Sequence, residues 1–199
     1  MKKLAIAFIS WVIAISIYGQ EIVITVAPTV NFAVINKSNS LVKDQSLMAG
    51  IGSSIKYIFV NNHSYNFGLG LGYHYAQVKF TNYGDFVAEI PYTETVNLFS
   101  FNLISAYNFK NNFYLNFEPS IDFHFGQNES QTIDNQSGVG LNLGLGKKVK
   151  IKDNLSFIVE PGFGIHNIIP FSNEKHINRL ATVELNLGLL FIQRKVKSL

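Results

Sequence analysis

Apolar and polar residues alternate along most of the chain after residue 20. The clearest stretch runs from Phe113 to Gly126, where every second residue is apolar and most residues between them are polar. Successive side chains of a β-strand point to opposite faces, so this alternation predicts a strand with one apolar and one polar face. An α-helix would scatter the same phenylalanines around its whole circumference.

Seven further segments show the same period of two, which brings the number of predicted strands to eight. These segments cover residues 24–34, 50–59, 65–76, 99–109, 138–146, 155–166 and 181–192. Three connections are short and rich in turn-forming residues: 60–63, 110–112 and 152–154. Four are longer and mostly polar: 36–46, 81–93, 127–136 and 169–178. Alternating short and long connections are typical of an up-and-down antiparallel meander with both termini at the short-turn end.

Three prolines fall inside predicted strands, on their apolar faces. They are Pro28, Pro119 and Pro161. Because proline has no backbone N–H to donate to a neighbouring strand, these positions predict bulges or local breaks in strand pairing.

The two faces of the predicted strands differ in size as well as polarity. An eight-stranded barrel has an interior only just wide enough for side chains, so the face rich in Phe, Tyr and Leu would overfill it. The opposite face, mostly Gly, Ala, Ser and Asn, fits, and it has too few charges for a water-exposed surface. We therefore predict an all-β fold, an eight-stranded antiparallel up-and-down transmembrane β-barrel. Phe117, Leu143 and Leu185 should face lipid, and Glu118, Asn142 and Glu184 the lumen.

Aromatic residues concentrate at both ends of the predicted strands, whereas the middle is largely Leu, Val and Ile. Near the short turns lie Tyr57, Phe59, Tyr65, Tyr107, Phe109, Phe113 and Phe157. Toward the long loops lie Phe32, Tyr73, Tyr75, Phe99, Phe123, Phe125 and Phe163. Two aromatic girdles that flank an aliphatic band are typical of a barrel that spans a bilayer.

The first nineteen residues have the three parts of a secretory signal peptide. Lys2 and Lys3 precede a 14-residue apolar run from Leu4 to Ile17, which is shorter than the roughly 20 residues of a transmembrane helix, and Gly19 provides a small residue for cleavage. We expect a signal peptide at 1–19 and one domain at 20–199, exported to the envelope. The chain has no cysteine, so it relies on no disulfide.

Charged residues are few, and their two signs are nearly balanced. Charged residues make up 15 % of the chain, against roughly 25 % in a typical soluble domain. Without Lys2 and Lys3 the chain carries 14 basic and 13 acidic residues, which gives no electrostatic basis for binding nucleic acid.

With its signal peptide, eight amphipathic strands, short turns and long loops, the chain resembles the small outer-membrane β-barrels of the OmpA/OmpX type. Its loop and strand style is similar to the PorT-like "outer membrane protein beta-barrel domain" family. The resemblance covers the mature chain and is one of architecture, without a diagnostic motif. It implies an integral outer-membrane protein whose partners are outer-membrane lipids and the barrel-insertion machinery. One departure is the tail after Phe191, because such barrels often end on an aromatic insertion signal and this chain ends on Leu199.

Five charged residues fall on the predicted lumen face. They are Lys56, Glu118, Asp122, Glu160 and Glu184. Isolated buried charges are costly, so we expect a paired ionic network, with Arg194 below it. The alternative is functional: a path for protons or cations, or a carboxylate pair for acid–base chemistry.

Three histidines, His74, His124 and His166, lie about ten residues up the third, fifth and seventh predicted strands. An intervening strand separates each from the next, so we expect interior hydrogen-bonding groups or mouth residues and no metal site.

No motif indicates catalysis or a cofactor. The glycines at 138, 140, 144 and 146 have the spacing of a strand and precede no helix that could bind phosphate, so we interpret them as making room inside a narrow barrel. The outward serines Ser53 and Ser105 have no histidine or acid beside them in the pattern, and no nucleophile elbow occurs. We expect no enzymatic activity and no cofactor.

The favoured function is a structural role, binding or adhesion of an extracellular ligand through the loops, or an accessory role in secretion. Three alternatives remain: a narrow pore for ions or very small solutes, a lipid-modifying outer-membrane enzyme, and a soluble periplasmic ligand-binding barrel. Function in such proteins resides in the loops, whose composition here names no ligand.

Overall fold

The computed structural model describes residues 20–34, 42–61, 64–82, 91–126, 133, 135–172 and 178–193. The predicted signal peptide and Arg194 lie outside this part of the chain. The strands are β1 (Gln20–Val34), β2 (Val42–Ser46), β3 (Met48–Asn61), β4 (Tyr65–Asn82), β5 (Pro91–Asn108), β6 (Phe113–Phe125), β7 (Gly138–Lys152), β8 (Leu155–Pro170) and β9 (Arg179–Gln193). Within these ranges, no helix is both long and apolar enough to cross a membrane.

The nine strands close into one antiparallel barrel with eight strands around its circumference. Only Leu47 separates β2 from β3, and both pair with β4, so they form two parts of one strand of the barrel. With β2 and β3 counted as one strand, each strand pairs with the next along the chain, and β9 pairs with β1 to close the sheet. The structure therefore confirms the predicted eight-stranded, antiparallel, up-and-down barrel.

The apolar face of the strands points outward, as predicted. Phe117 is 46 % exposed, whereas its neighbour Glu118 is 4 % exposed. Leu143 and Leu185 are 43 % and 39 % exposed on the outer surface. Asn142 and Glu184, which precede them in the alternation, are only partly exposed on the lumen side. In water such a surface would be unfavourable; in hydrocarbon it is matched to its surroundings.

The outward apolar band has the height of a membrane. On β4 it covers the eleven residues from Tyr65 to Tyr75, which are ten residue steps. At about 3.3 Å per residue and a tilt of roughly 40°, this stretch spans about 25 Å, the apolar thickness of an outer-membrane barrel. Edge-to-face ring pairs lie near both limits, Tyr65 with Tyr107 (5.1 Å between centroids) and Phe99 with Phe101 (5.3 Å).

Each of the three strand prolines interrupts pairing with one neighbour. The pairing of β1 with β9 stops at Val26 and resumes at Thr29, on either side of Pro28. Pro119 lies in the same kind of gap between β6 and β5, and Pro161 in one between β8 and β7. The register is unchanged across each gap, so these are the predicted local breaks without bulges.

The strands extend further toward the loop end than the sequence predicted. On β4 the outward residues above Tyr75 are polar (Gln77, Lys79, Thr81), and the inward ones are apolar and fully buried (Ala76, Val78, Phe80). On β5 the same exchange places Thr93, Thr95 and Asn97 outward and Val96 and Leu98 inward. The predicted loop at 81–93 is wrong at both ends, because β4 continues to Asn82 and β5 begins at Pro91. Apolar and polar residues still alternate in these strand ends, but the apolar residues now face inward and the polar ones outward. The exchange marks where the barrel leaves hydrocarbon for water.

Candidate functional site: the layered lumen

The lumen consists of three layers along the barrel axis. At the short-turn end an apolar "turn-end cluster" contains Val23, Ile58, Ile104, Ala106, Tyr114, Ile158 and Leu190. At the opposite end a "loop-end cluster" contains Ala33, Ala76, Val78, Phe80, Val96, Leu98, Ile133 and Leu180. The ionisable residues predicted from sequence lie mainly between the two clusters, in a "polar layer". The small, polar inward face expected from the sequence is thus correct for the middle of the barrel and wrong for its ends.

Three of the five predicted charged residues meet in the polar layer. Lys56 on β3 forms an ion pair with Glu118 on β6, and its Nζ is 3.9 Å from Oε1 of Glu160 on β8. Asn116 Nδ2 donates to Glu118 Oε1 and lies 3.3 Å from Glu160 Oε1. One ammonium and one amide thus connect two buried carboxylates that would otherwise repel each other.

The other two predicted carboxylates have their own partners. Asp122 accepts hydrogen bonds from His166 Nδ1 at 2.8 Å and from Ser100 Oγ at 2.6 Å. Glu184 accepts from Asn186 Nδ2 at 2.7 Å. Asn186 Nδ2 also lies 3.5 Å from Glu160 Oε1, so Glu184 is linked to the Lys56 network through an amide.

A further ion pair at the short-turn end was missed from sequence. Lys148 Nζ lies 3.3 Å from Glu21 Oε2, and Asn61 Nδ2 donates to Glu21 Oε1 at 2.6 Å. Glu21 precedes the predicted start of β1, and Lys148 follows the predicted end of β7. The alternation of the sequence does indicate that Glu21 faces the lumen, because Glu21 lies two residues before the inward-facing Val23 and therefore on the same face of β1.

The structure brings two of the three predicted histidines together. His74 on β4 and His166 on β8 have ring centroids 5.5 Å apart. The expectation that intervening strands keep the histidines apart is wrong for this pair, because opposite walls of an eight-stranded barrel are only a side chain's reach from each other. His124 lies elsewhere, near the mouth, where its Nδ1 accepts from the backbone N–H of Gln136 at 3.3 Å.

A central chamber of about 60 Å³ lies within the polar layer. Its lining includes His74, His166, Asn102, Asn142, Glu184 and Lys56. Two buried atoms of this lining, Asn102 Oδ1 and His166 Nε2, have no hydrogen-bond partner within the ranges given above. A second chamber of about 40 Å³ lies toward the short turns, beside Tyr114 and Lys148. In the described part of the chain, no three His, Cys, Asp or Glu side chains are grouped closely enough to hold a metal ion.

The segment before β7 closes the loop-end mouth. Ile133 is fully buried in the loop-end cluster, and its backbone N–H donates to Glu94 Oε2 at 2.9 Å. The side-chain amide of Gln136 accepts from the backbone N–H of Leu180 at 2.8 Å and donates to the carbonyl oxygen of Asn178 at 3.1 Å. These bonds tie the segment to β5 and to the start of β9.

Comparison with known proteins supports the fold and does not identify a function. No family model matches the chain, and no curated protein matches it. Among solved structures, Neisserial surface protein A (NspA) is similar, with a TM-score of 0.52 and 13 % identity over 86 % of this chain and 96 % of that one. Outer membrane protein AlkL, solved in DMPC lipid bilayers, has a TM-score of 0.50 and 8 % identity over 92 % of this chain and 94 % of that one. At such identities, the chain shares with them the fold of the small eight-stranded outer-membrane β-barrels.

Proposed function

We propose that this protein is a closed, integral barrel of the outer membrane that acts through the surface it presents outside, by binding or adhesion. The observation that carries the proposal is the lumen, which one apolar cluster fills at the loop end and a second apolar cluster narrows to a chamber of about 40 Å³ at the short-turn end. The apolar band on the outside of the barrel supports location in a membrane. The two similar structures, one of a surface protein and one of an outer membrane protein, support the outer membrane in particular. Outer-membrane lipids and the insertion machinery remain the proposed partners.

The filled lumen argues against the alternative of a narrow pore. Phe80, Leu98, Ile133 and Leu180 are fully buried in the loop-end cluster, where they leave little room for a hydrated ion. Of the two lumen chambers, the one of about 60 Å³ lies in the polar layer and the one of about 40 Å³ is lined by the turn-end cluster, and each has room for only a few water molecules. An eight-stranded barrel packed in this way is a scaffold.

The part of the barrel above the membrane offers an ordered polar surface. We call it the platform, and it consists of Gln77, Lys79, Thr81, Thr93, Thr95 and Asn97. The upper girdle holds two of these side chains: Tyr73 Oη donates to Asn97 Oδ1 at 2.8 Å, and Gln77 Nε2 donates to Tyr75 Oη at 2.7 Å. Polar side chains fixed on paired strands bind a partner with little loss of conformational entropy.

We propose no enzymatic role. The two outward serines are flanked by residues that cannot activate them, since Ser53 is in register with Val26 and Tyr73. Ser105 is in register with Phe67 and Phe117. A serine nucleophile needs an adjacent base, and neither position has one across either strand neighbour. A soluble ligand-binding barrel is disfavoured by the apolar outer band.

Two measurements test this proposal together. In planar lipid bilayers, the reconstituted barrel should produce no defined conductance steps. Bacteria that display it should adhere to wells coated with a panel of candidate extracellular ligands, and the platform variant Lys79→Glu/Thr95→Lys should reduce adhesion, whereas the lipid-facing control Ile55→Leu should not. Defined conductance steps would favour the pore, and adhesion equal to that of cells without the protein would contradict the binding role.

A further inference from the structure

The central chamber contains buried polar atoms whose hydrogen-bonding capacity the protein leaves unused. His166 is 4 % exposed and Asn102 is 7 % exposed, and both line the chamber. Neither His166 Nε2 nor Asn102 Oδ1 has a hydrogen-bond partner among the residues that the structure describes. An unpaired buried polar atom costs about 1–3 kcal/mol, so two of them on one small cavity point to an occupant that contacts both.

The hydrogen bonds of both imidazole rings determine which nitrogen is free to act as a ligand. His166 Nδ1 donates to the Asp122 carboxylate at 2.8 Å, which leaves the lone pair on Nε2. His74 Nε2 lies 3.2 Å from Asn31 Oδ1. The orientation of the Asn31 amide is set by its Nδ2, which donates to the Met48 carbonyl, so His74 Nε2 donates and the lone pair is on Nδ1. A histidine that donates one ring N–H to a fixed oxygen acceptor is arranged as metal ligands usually are.

The spacing of the two rings suits a shared ion. A zinc-like ion about 2.1 Å from a ring nitrogen lies roughly 3.2 Å from that ring's centroid, so two imidazoles at a tetrahedral angle have centroids about 5.2 Å apart. The observed separation between the His74 and His166 centroids is 5.5 Å. His74 Nδ1 is also near Gly52, a glycine of the chamber lining, where an added Cβ would lie 3.3 Å from that nitrogen.

Charge favours a cation as the occupant. Among the described residues, the polar layer contains four carboxylates, Glu118, Asp122, Glu160 and Glu184, and one ammonium, Lys56. Buried charge of one sign is costly unless it is paired, and a cation in the chamber would reduce the excess.

We propose that the central chamber binds a divalent transition-metal cation such as Zn²⁺, with His74 Nδ1 and His166 Nε2 as its nitrogen ligands. Asn102 Oδ1 and water complete the coordination, and Asp122 is a positioning residue that orients His166. Imidazole ligands select transition metals over Ca²⁺ and Mg²⁺, which prefer all-oxygen sites. Apolar clusters bound the polar layer at both ends, so the ion is taken up as the barrel folds. This inference does not depend on the proposed function.

The test uses the mature chain with His63 and His176 replaced by Asn, which leaves His74, His124 and His166 as its only histidines. This parent is folded into detergent with Zn²⁺, freed of unbound metal by gel filtration and analysed for metal content. We expect close to one zinc per chain in the parent and in the control His124→Asn, and a loss in His74→Asn and His166→Asn. Folding with Co²⁺ should give the visible absorption of tetrahedral cobalt in the parent and in the control His124→Asn, and not in His74→Asn or His166→Asn.

Two further variants keep the test decisive if a histidine variant fails to fold, which gel mobility before and after heating reveals. Asp122→Asn keeps both ligands and should weaken zinc binding about 10- to 100-fold, the usual effect of removing an orienting carboxylate. Asn102→Asp adds a charged ligand and should strengthen it. Zinc below one-tenth per chain in the folded parent would show that the chamber contains water only. Equal zinc in the parent and in folded His166→Asn would also overturn the proposal.

Discussion

Lys56 and Glu118 form an ion pair across the lumen although 62 residues and two intervening strands separate them. Both are buried, and Glu160 completes the group. This contact crosses the lumen within the polar layer, which has an apolar cluster on either side along the barrel axis. The polar layer is therefore a region where removal of one charge leaves others without compensation.

The first prediction concerns that imbalance. Lys56→Met leaves Glu118 and Glu160 buried without their shared ammonium and should destabilise the barrel by about 3–5 kcal/mol. Glu118→Gln should cost less, because Lys56 retains Glu160 at 3.9 Å. The double variant Lys56→Met/Glu118→Leu should recover part of the loss. Urea unfolding in detergent, followed by circular dichroism, measures all three. Equal losses for the two single variants would mean that the ion pair behaves as an isolated pair.

The second prediction concerns two lumen glycines that differ in the space around them. A Cβ at Gly146 would lie 2.1 Å from Cζ of the Tyr114 ring, whereas one at Gly72 would have its nearest neighbour at 3.5 Å. Gly146→Ala should therefore force the tyrosine to move and cost about 1–3 kcal/mol. Gly72→Ala serves as the matched control and should leave the urea midpoint nearly unchanged. A comparable loss in both variants would contradict the packing of the turn-end cluster.

The third prediction concerns the junction between β1 and β2. The side-chain amide of Gln45 accepts from the backbone N–H of Ala33 at 2.9 Å and donates to its carbonyl oxygen at 2.8 Å. It thus acts as a strand partner just beyond the point where β1 pairs with β3. Gln45→Leu should remove both bonds, at about 1 kcal/mol each, and accelerate hydrogen exchange at the Ala33 amide. Ser46→Ala, an exposed neighbour, should leave that exchange rate unchanged.

The fourth prediction concerns closure of the mouth. Gln136→Ala should leave the buried N–H of Leu180 without its acceptor and loosen the segment that holds Ile133. Limited proteolysis of intact cells should then cleave the connection between β6 and β7 faster than in the native protein. Ser172→Ala, at an exposed position, should be cut at close to the native rate. If Gln136→Ala is as resistant as the native chain, the seal does not depend on this amide.

The sequence predicted what alternation encodes locally, and it failed where the answer depends on barrel geometry. Phe117 and Glu118 were assigned to opposite faces correctly because neighbouring residues of a strand always diverge. The contact between His74 and His166 depends on barrel width and on the heights of two non-adjacent strands, which spacing along the chain does not give. The burial of Phe80 was not predicted, because Phe80 lies in the part of the barrel above the membrane. There the inward residues are apolar and the outward residues are polar, the reverse of the arrangement within the membrane.

A membrane-spanning barrel requires that the apolar face of its strands point outward, and the absence of cysteine from the chain allows a direct test of that orientation. Single cysteines at Leu143, Asn142, Leu71 and Gly72 would carry spin labels in the barrel reconstituted into lipid. Collision rates with oxygen, which concentrates in hydrocarbon, should be high for labels at Leu143 and Leu71 and low for labels at Asn142 and Gly72. High oxygen collision rates at Asn142 and Gly72, with Leu143 and Leu71 shielded, would contradict the membrane-spanning barrel.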